Sequence, residues 1–436
     1  MDDKLKGKRL LVLGGSTWKD AIKAFANRHG IYLIAAAPYH VGIFDIADEC
    51  HLLDVTDSKV MIPFIKGNNI DGVYMGGSEP VINAACQYLA ELGLPCYCTK
   101  EQWDYLQDKS KFKQLCMEHG LPVVPRFDVN ISDMEHALPQ EAYPVITKPT
   151  DGCGSNGFSV CRNAEELKVG YERAAAASPT GAVICEKFVN NDSVVFFATF
   201  SNGKVIFSGL EDKIPVRYDE ERSYVGGMFL FESHLAEEFK RLFMVKLEQL
   251  FSSIGIKEGN AWIEVFYDKG QFYFNEVGFR YGGSVSIYPV DYYYNINQVA
   301  CDIYFALTGE SQIEGHQSLI PATLKRKRYY CAYPVHAKAG TIEGIFGAEK
   351  LQKMPEMVLV NINKNVGDTI LQSGSFSQVI ALIHFVFDNI SECKDIVRKI
   401  HQTLIMKDKN GNNLIVRKLE PARINFLQIE SSIVCS

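Results

Sequence analysis

Twice within about its first hundred residues the chain runs from an apolar stretch into Gly-Gly-Ser and on into an amphipathic stretch, and few folds accept that pattern. Residues 8–13 read as a buried strand, Gly14-Gly15-Ser16 as a turn, and residues 18–29 as a helix closed by Gly30, after which residues 31–36 return as a strand. Gly72-Val73-Tyr74-Met75, Gly76-Gly77-Ser78 and a helix over 80–92 repeat the arrangement. Alternation of this kind predicts a parallel sheet with crossover helices over residues 1–105. Turns at strand ends that open onto helix N-termini suit an anion or a ligand carbonyl, and equally suit plain chain reversal. Ser78 and Glu79 are therefore candidate substrate contacts.

Further along, residues 109–119 read as a helix closed by Gly120 and Pro122. Strand patterns follow at 143–149, 158–161, 182–188 and 194–200. Residues 233–254 form a long amphipathic helix for which Ser233 is a plausible N-cap. After Gly309 the pattern turns to strands and turns, with one helical stretch over 388–402. The whole combines α/β and α+β character, and 436 residues suit about three domains.

Two acids stand in otherwise apolar strands: Glu264 in Trp262-Ile263-Glu264-Val265-Phe266, and Glu276 in Phe272-Tyr273-Phe274-Asn275-Glu276-Val277. With Asp268-Lys269-Gly270 as a hairpin turn, Glu264 is expected opposite Phe274 and diagonal to Glu276, on the same side of the ribbon. Neighbouring carboxylates repel unless one is protonated or a cation lies between them. The pair fits a divalent-metal site, or a structural ion pair with Arg280 four residues on.

Composition removes several classes. A formal charge of -7 argues against a protein that holds nucleic acid by neutralising phosphates, and the one dense basic run, Lys325-Lys327 with its neighbours Arg326 and Arg328, has no stacking residues interleaved. No stretch approaches the ~20 apolar residues of a membrane span, so a cytoplasmic protein is expected. Twelve cysteines are scattered without a Cys-x-x-Cys, which indicates neither zinc nor a disulfide framework.

Gly152-Cys153-Gly154-Ser155-Asn156-Gly157 matches G-x-G-x-x-G, but a strand run, Phe158-Ser159-Val160-Cys161, follows it where a dinucleotide fingerprint requires a helix. A kinase loop is excluded too, because Lys148 precedes the glycines and neither His-Arg-Asp nor Asp-Phe-Gly follows. What remains is a hairpin flap whose backbone N–H groups can approach phosphates, with Lys148 as a fixed cation. Downstream, Glu186-Lys187-Phe188-Val189 reads as a strand end that could form a hinge.

In this order the parts resemble the ATP-grasp superfamily over nearly the whole chain, and most of all its carboxylate-amine ligases, L-amino acid ligases and short carbamoyl-phosphate-synthase-like proteins. The resemblance implies a pre-ATP-grasp parallel-sheet domain at 1–105 and an ATP-grasp domain at 106–310, with a flap subdomain near 125–188 and a metal-binding subdomain near 189–310. It further implies a β-rich, biotin-carboxylase-like lid domain at 311–436, carried by residues 337–344 and 365–368. By matching position, Lys109 and Lys148 would contact nucleotide phosphates, the flap glycines would cover them, and Glu186, Lys187, Phe188 and Val189 would hold adenosine. Glu264 and Glu276 would bind Mg2+, with Mn2+ as a substitute. Arg280 would stabilise an acyl-phosphate, and Gly282, Gly283 and Ser284 would line the acceptor side.

Two positions depart from the superfamily pattern. Gly278 stands where a metal-binding Asn is usual, and Phe196 stands where an acid often follows the hinge. The implied activity is ADP-forming ligation of a small carboxylate to an amine or other nucleophile, with no nucleic acid or membrane partner and a homodimer as a possible assembly. The alternatives are a biotin-carboxylase-like enzyme activating bicarbonate and a nucleotide-binding regulator without turnover.

Overall fold

The computed structural model describes residues 3–130, 133, 136–150, 157–189, 193–218, 225–324 and 328–419. Gly152, Cys153, Gly154, Ser155, Asn156, Asp192 and residues 325–327 lie outside that set, so of the glycine motif only Gly157 can be placed.

The N-terminal alternation folds as its pattern requires. Strands β1 (Arg9–Val12), β2 (Tyr32–Ala37), β3 (Glu49–Leu52) and β4 (Gly72–Tyr74) form a parallel sheet in the order β3-β2-β1-β4. Helices α1 (Lys19–His29) and α2 (Ser58–Gly67) make crossovers, and α3 (Glu79–Leu92), α4 (Lys100–Gln107) and α5 (Lys109–Glu118) follow β4 and lead out of the unit. Asp108 starts α5 by accepting hydrogen bonds from the Ser110 and Lys111 backbone N–H groups, which fixes where Lys109 and its neighbours point.

A second, antiparallel sheet follows, built from β5 (Arg126–Phe127), β6 (Val145–Pro149), β7 (Ser159–Cys161) and β8 (Val183–Lys187) in the order β5-β8-β6-β7. Helix α6 (Ala164–Ala177) packs on it.

The largest sheet is antiparallel and carries the acids. Its strands are β9 (Ser193–Ser201), β10 (Lys204–Val216), β11 (Val225–Phe231), β12 (Gly259–Asp268), β13 (Gln271–Gly278) and β14 (Tyr329–Ala337), then β17 (Met357–Ile362), β19 (Val379–Phe387) and β21 (Ile415–Val416). They run β13-β12-β9-β10-β11-β14-β19-β17, with β21 beside β14. Two small ribbons pair β15 (Gly340–Thr341) with β18 (Thr369–Ile370) and β16 (Gly344–Phe346) with β20 (Ile405–Lys407). Hydrogen bonding is continuous across residue 310, because β11 pairs with β14. The C-terminal residues therefore extend the central sheet.

Helix α7 (Ala236–Ser253) covers one face of that sheet through Phe239, Phe243, Leu247 and Phe251. It begins later than the sequence suggests: Leu235 holds the N-cap position, and the Ser233 hydroxyl accepts from the Leu235 N–H one turn early. Phe196 lies on this same face, fully buried against Phe207 and Phe239. Strand residues alternate in direction, so Val195, not Phe196, faces the other side. Helices α8 (Ile287–Tyr294) and α9 (Gln298–Thr308) follow the β12–β13 hairpin, and α10 (Ala348–Gln352) and α11 (Ile390–Thr403) pack near the C-terminal strands. Among the described residues no helix is long and apolar enough to cross a membrane, and the ten described cysteines are unbridged.

Candidate active site

The hairpin joining β12 to β13 turns through Lys269 and Gly270, both at positive φ, the two-residue geometry that matches strand twist and favours glycine at its second position. Tyr273 and Phe272 then pair with Phe266 and Tyr267 as a simple register requires. At Glu264 the ladder slips. Val265 pairs with Phe274, but Glu264 pairs with Glu276, so Asn275 is an extra residue bulged out of β13. The expected diagonal relation is thus corrected: the two glutamates stand directly opposite. Asn275 uses its bulged position to donate from Nδ2 to Glu264 Oε2 at 2.8 Å.

The acid pair continues into a row across the sheet. Glu264 pairs with Val195 of β9, and Val195 pairs on its other side with Glu211 of β10. Cross-strand partners project to one face, so Glu276, Glu264, Val195 and Glu211 share the face opposite α7. Lys213, two residues beyond Glu211 and on the same side, reaches Glu264 Oε1 at 2.6 Å. Lys109 of α5 reaches Glu276 Oε2 at 2.9 Å. Burial alone would push Glu264 up, but Lys213 and the Asn275 hydrogen bond outweigh it and hold the carboxyl below its usual range. Burial likewise opposes the charges of Lys109 and Lys213, and the facing glutamates overcome it in both, keeping both ammonium groups above their ordinary pKa.

A second charge cluster lies near the end of β8, the segment expected from sequence as a hinge. Glu186 of β8 is fully buried, with Lys148 of β6 2.8 Å from Oε2 and Lys113 of α5 against Oε1. Lys148 and Glu186 are diagonal neighbours, since Ile146 pairs with Glu186. Lys113 follows Lys109 by one helical turn, so a single face of α5 serves both clusters. Burial together with the Lys148 charge pushes Lys113 down to about 8, Glu186 pulling the other way. Glu186 is held below the normal carboxylate range despite its burial, because Lys148 and Lys113 face it. At the end of β8 the Lys187 and Phe188 N–H groups donate to the Pro125 and Pro144 carbonyls at 2.9 and 3.0 Å, leaving Lys187 exposed and Phe188 and Val189 half-buried.

Arg280 does not pair with either hairpin acid. Its Nε and Nη2 donate to Glu79 Oε1 at 2.9 and 2.7 Å, bringing it to the first residue of α3, where Ser78 holds the N-cap position. The candidates Glu79, at the start of α3, and Arg280, two residues beyond β13, thus meet. Arg280 also stacks 5.3 Å over the Trp262 ring. Trp262 pairs with Gly278, and a Cβ on Gly278 would fall 2.2 Å from Trp262 Nε1. Glycine at 278 is therefore the partner that the Trp262 ring demands. Beyond Arg280 the loop turns with the Gly282 N–H donating to Ser286 Oγ at 3.0 Å, while Ser284 Oγ donates to Glu211 Oε2 at 2.9 Å. Gly283 faces open space.

Lys113, Lys213 and Glu211 are the residues that sequence reading missed. Glu211 and Lys213 carry the same signal as Glu264, charge inside an apolar strand, at 204–216. Among the described residues no group of three or more His, Cys, Asp or Glu is arranged to hold a metal by itself. Two opposed carboxylates whose charges are already countered by ammonium groups still suit a hard divalent ion, since magnesium is commonly held by one or two carboxylates with phosphate and water completing its shell.

Residues 108–197 match the family model described as carbamoyl-phosphate synthase L chain, ATP binding domain. The chain is 27% identical over 186 residues to the 2-oxoglutarate carboxylase small subunit of Hydrogenobacter thermophilus, covering 41% of this chain but only 39% of that relative. Two solved structures superpose over 93% of the chain and all of their own length. One is a phosphoribosylglycinamide synthetase from Anaerococcus prevotii, with TM-score 0.72 and 18% identity; the other is an L-amino acid ligase from Bacillus licheniformis, with TM-score 0.70 and 21% identity. At such identities the likeness is one of fold.

Proposed function

Given the ATP-grasp fold of this chain, we propose that it is an ATP-dependent, ADP-forming ligase that joins a small carboxylate to an amine, or a similar nucleophile, through an acyl-phosphate. The observation that carries the proposal is the row of Glu276 and Glu264, directly opposed and each countered by a lysine.

In this reading Glu264 and Glu276 hold Mg2+, or Mn2+ in its place, and the ion neutralises negative charge on the nucleotide phosphates. Lys109 and Lys213, released from the acids, turn to the phosphates, and Lys148 supplies a further cation; residues 152–156, expected from sequence to cover the phosphates, lie outside the described residues. Glu186 and the strand end through Lys187, Phe188 and Val189 receive the nucleoside. Arg280 stabilises charge developing on the acyl-phosphate, with Glu79 and Ser78 on the carboxylate side and Gly282, Gly283 and Ser284 on the acceptor side. Such chemistry is positioning and electrostatics and asks for no protein nucleophile.

The matched carboxylase subunit favours a second reading, activation of bicarbonate. ADP release stimulated by an amino acid or formate, with the corresponding hydroxamate trapped by hydroxylamine, supports the ligase. ADP release that requires bicarbonate and no other carboxylate supports the carboxylase.

A further inference from the structure

Glu211 has no part in the mechanism above, yet among the described residues it is a buried acid of this sheet face with no lysine or arginine within ion-pair distance. It is 1% exposed, it occupies the same cross-strand row as Glu264 and Glu276, and its described hydrogen bond comes from Ser284. Burying an acid costs several kcal/mol unless it is compensated, and one hydroxyl compensates poorly. Ser284 in turn belongs to the loop that follows Arg280, whose neighbour Gly283 borders open space. The acid is thus joined by a single hydrogen bond to the loop on the acceptor side.

We propose that Ser284 and Glu211 form a proton relay that accepts the proton of the attacking amine during capture of the acyl-phosphate. This rests on the ligase reading and deepens it. As the amine nitrogen bonds to the acyl carbon, its N–H proton passes to Ser284 Oγ while the Ser284 proton passes to the Glu211 carboxylate. The bond from that carbon to the phosphate oxygen then breaks. Phosphate departs with the electron pair and takes up the proton when Glu211 releases it, so the relay is restored.

The groups around Glu211 suit such a role. Asp212 and Lys213 follow it on β10, Val195 is its neighbour on β9, and the Cys331 thiol on β14, on the other side of the sheet, feels its charge. Burial, with the Asp212 charge adding to it, raises the carboxyl to about 8 against the pull of Ser284 and Lys213. A base is most effective when its pKa lies near the working pH.

The test separates capture from activation. The enzyme, with MgATP and the proteinogenic L-amino acids or formate as carboxylates, is assayed with hydroxylamine, which is neutral near about pH 7 and whose adduct sheds its proton to water. It is then assayed with L-alanine as the amine. Glu211→Gln and Ser284→Ala are each expected to lower the ratio of amide to hydroxamate by ~10²-fold, and to leave amide formation rising with pH only as L-alanine's own amino group loses its proton. A ratio unchanged from wild type in both variants overturns the relay while leaving the ligase standing, and so does an equal loss of both products in folded protein. A wild-type enzyme that forms hydroxamate with none of these carboxylates overturns relay and ligase together.

Discussion

The two charge clusters served by α5 differ in balance. At the hinge one acid, Glu186, faces two lysines; on the sheet two acids, Glu264 and Glu276, face one lysine each. The hinge cluster carries an excess positive charge in the more deeply buried setting, whereas the sheet cluster is neutral and more exposed. Under the proposed function, a polyphosphate would be drawn to the first as it stands. The second would take a divalent ion as phosphate draws its lysines away. In that reading the same two residue types, at different ratios and depths, would give a fixed anchor at one end and an exchangeable site at the other.

Substitutions at the two ends should therefore fail differently. The largest effect is expected from Glu276→Gln, which keeps shape but removes a metal-binding charge. Turnover should fall on the order of 10³-fold, with melting temperature little changed, because a metal contributes several kcal/mol to charge stabilisation in the transition state. Steady-state ADP release beside a thermal melt checks this, and normal turnover would remove Glu276 from the metal site. Glu186→Gln should do the reverse, costing about 3 kcal/mol of stability because two buried ammonium groups lose their counter-charge. Denaturant unfolding measures it, and a stability equal to wild type would mean that the hinge cluster is not the fixed one.

Lys148→Ala sharpens the contrast. ATP affinity by calorimetry should weaken by ~10-fold, because the cation lost is one of the pair at the hinge; unchanged affinity would place the phosphates elsewhere.

Much of this arrangement was legible in the sequence. The apolar runs punctuated by Gly14-Gly15 and Gly76-Gly77 dictated the parallel sheet, and the isolated charges at 264 and 276 marked two acids that the strands bring face to face. The register slip at Asn275 was not legible, because a bulge depends on which residue gains a partner once the strands meet. The side on which Phe196 stands was not legible for a related reason: parity along β9 decides which face a side chain takes, and it turned Phe196 toward α7. Lys109, Lys111 and Lys113 look alike in sequence, and only the approach of Glu186 from another sheet selects Lys113 for burial. Glu211-Asp212-Lys213 was not singled out, although alternation along 204–216 puts its first and third members on one face.

The smallest expected effect lies in pH. The Glu211 carboxyl titrates higher in the folded chain, at about 8, than its ordinary value of 4.5, so the folded state binds its proton more tightly than the unfolded state. That contribution to stability is complete below about pH 4.5 and fades as pH rises through about 8. Melting temperatures measured across that window should fall less steeply for Glu211→Gln than for wild type; parallel curves would show that Glu211 is already ionised in the folded state at neutral pH.

The exchangeable character of the sheet cluster is tested most directly by Mn2+ titration in the presence of ADP, followed by electron paramagnetic resonance. Wild type is predicted to bind Mn2+ tightly with the nucleotide, and the double variant Glu264→Gln/Glu276→Gln is predicted to lose that binding while still taking up ADP. Equal Mn2+ binding in the two proteins would contradict the assignment of these opposed glutamates as the metal site.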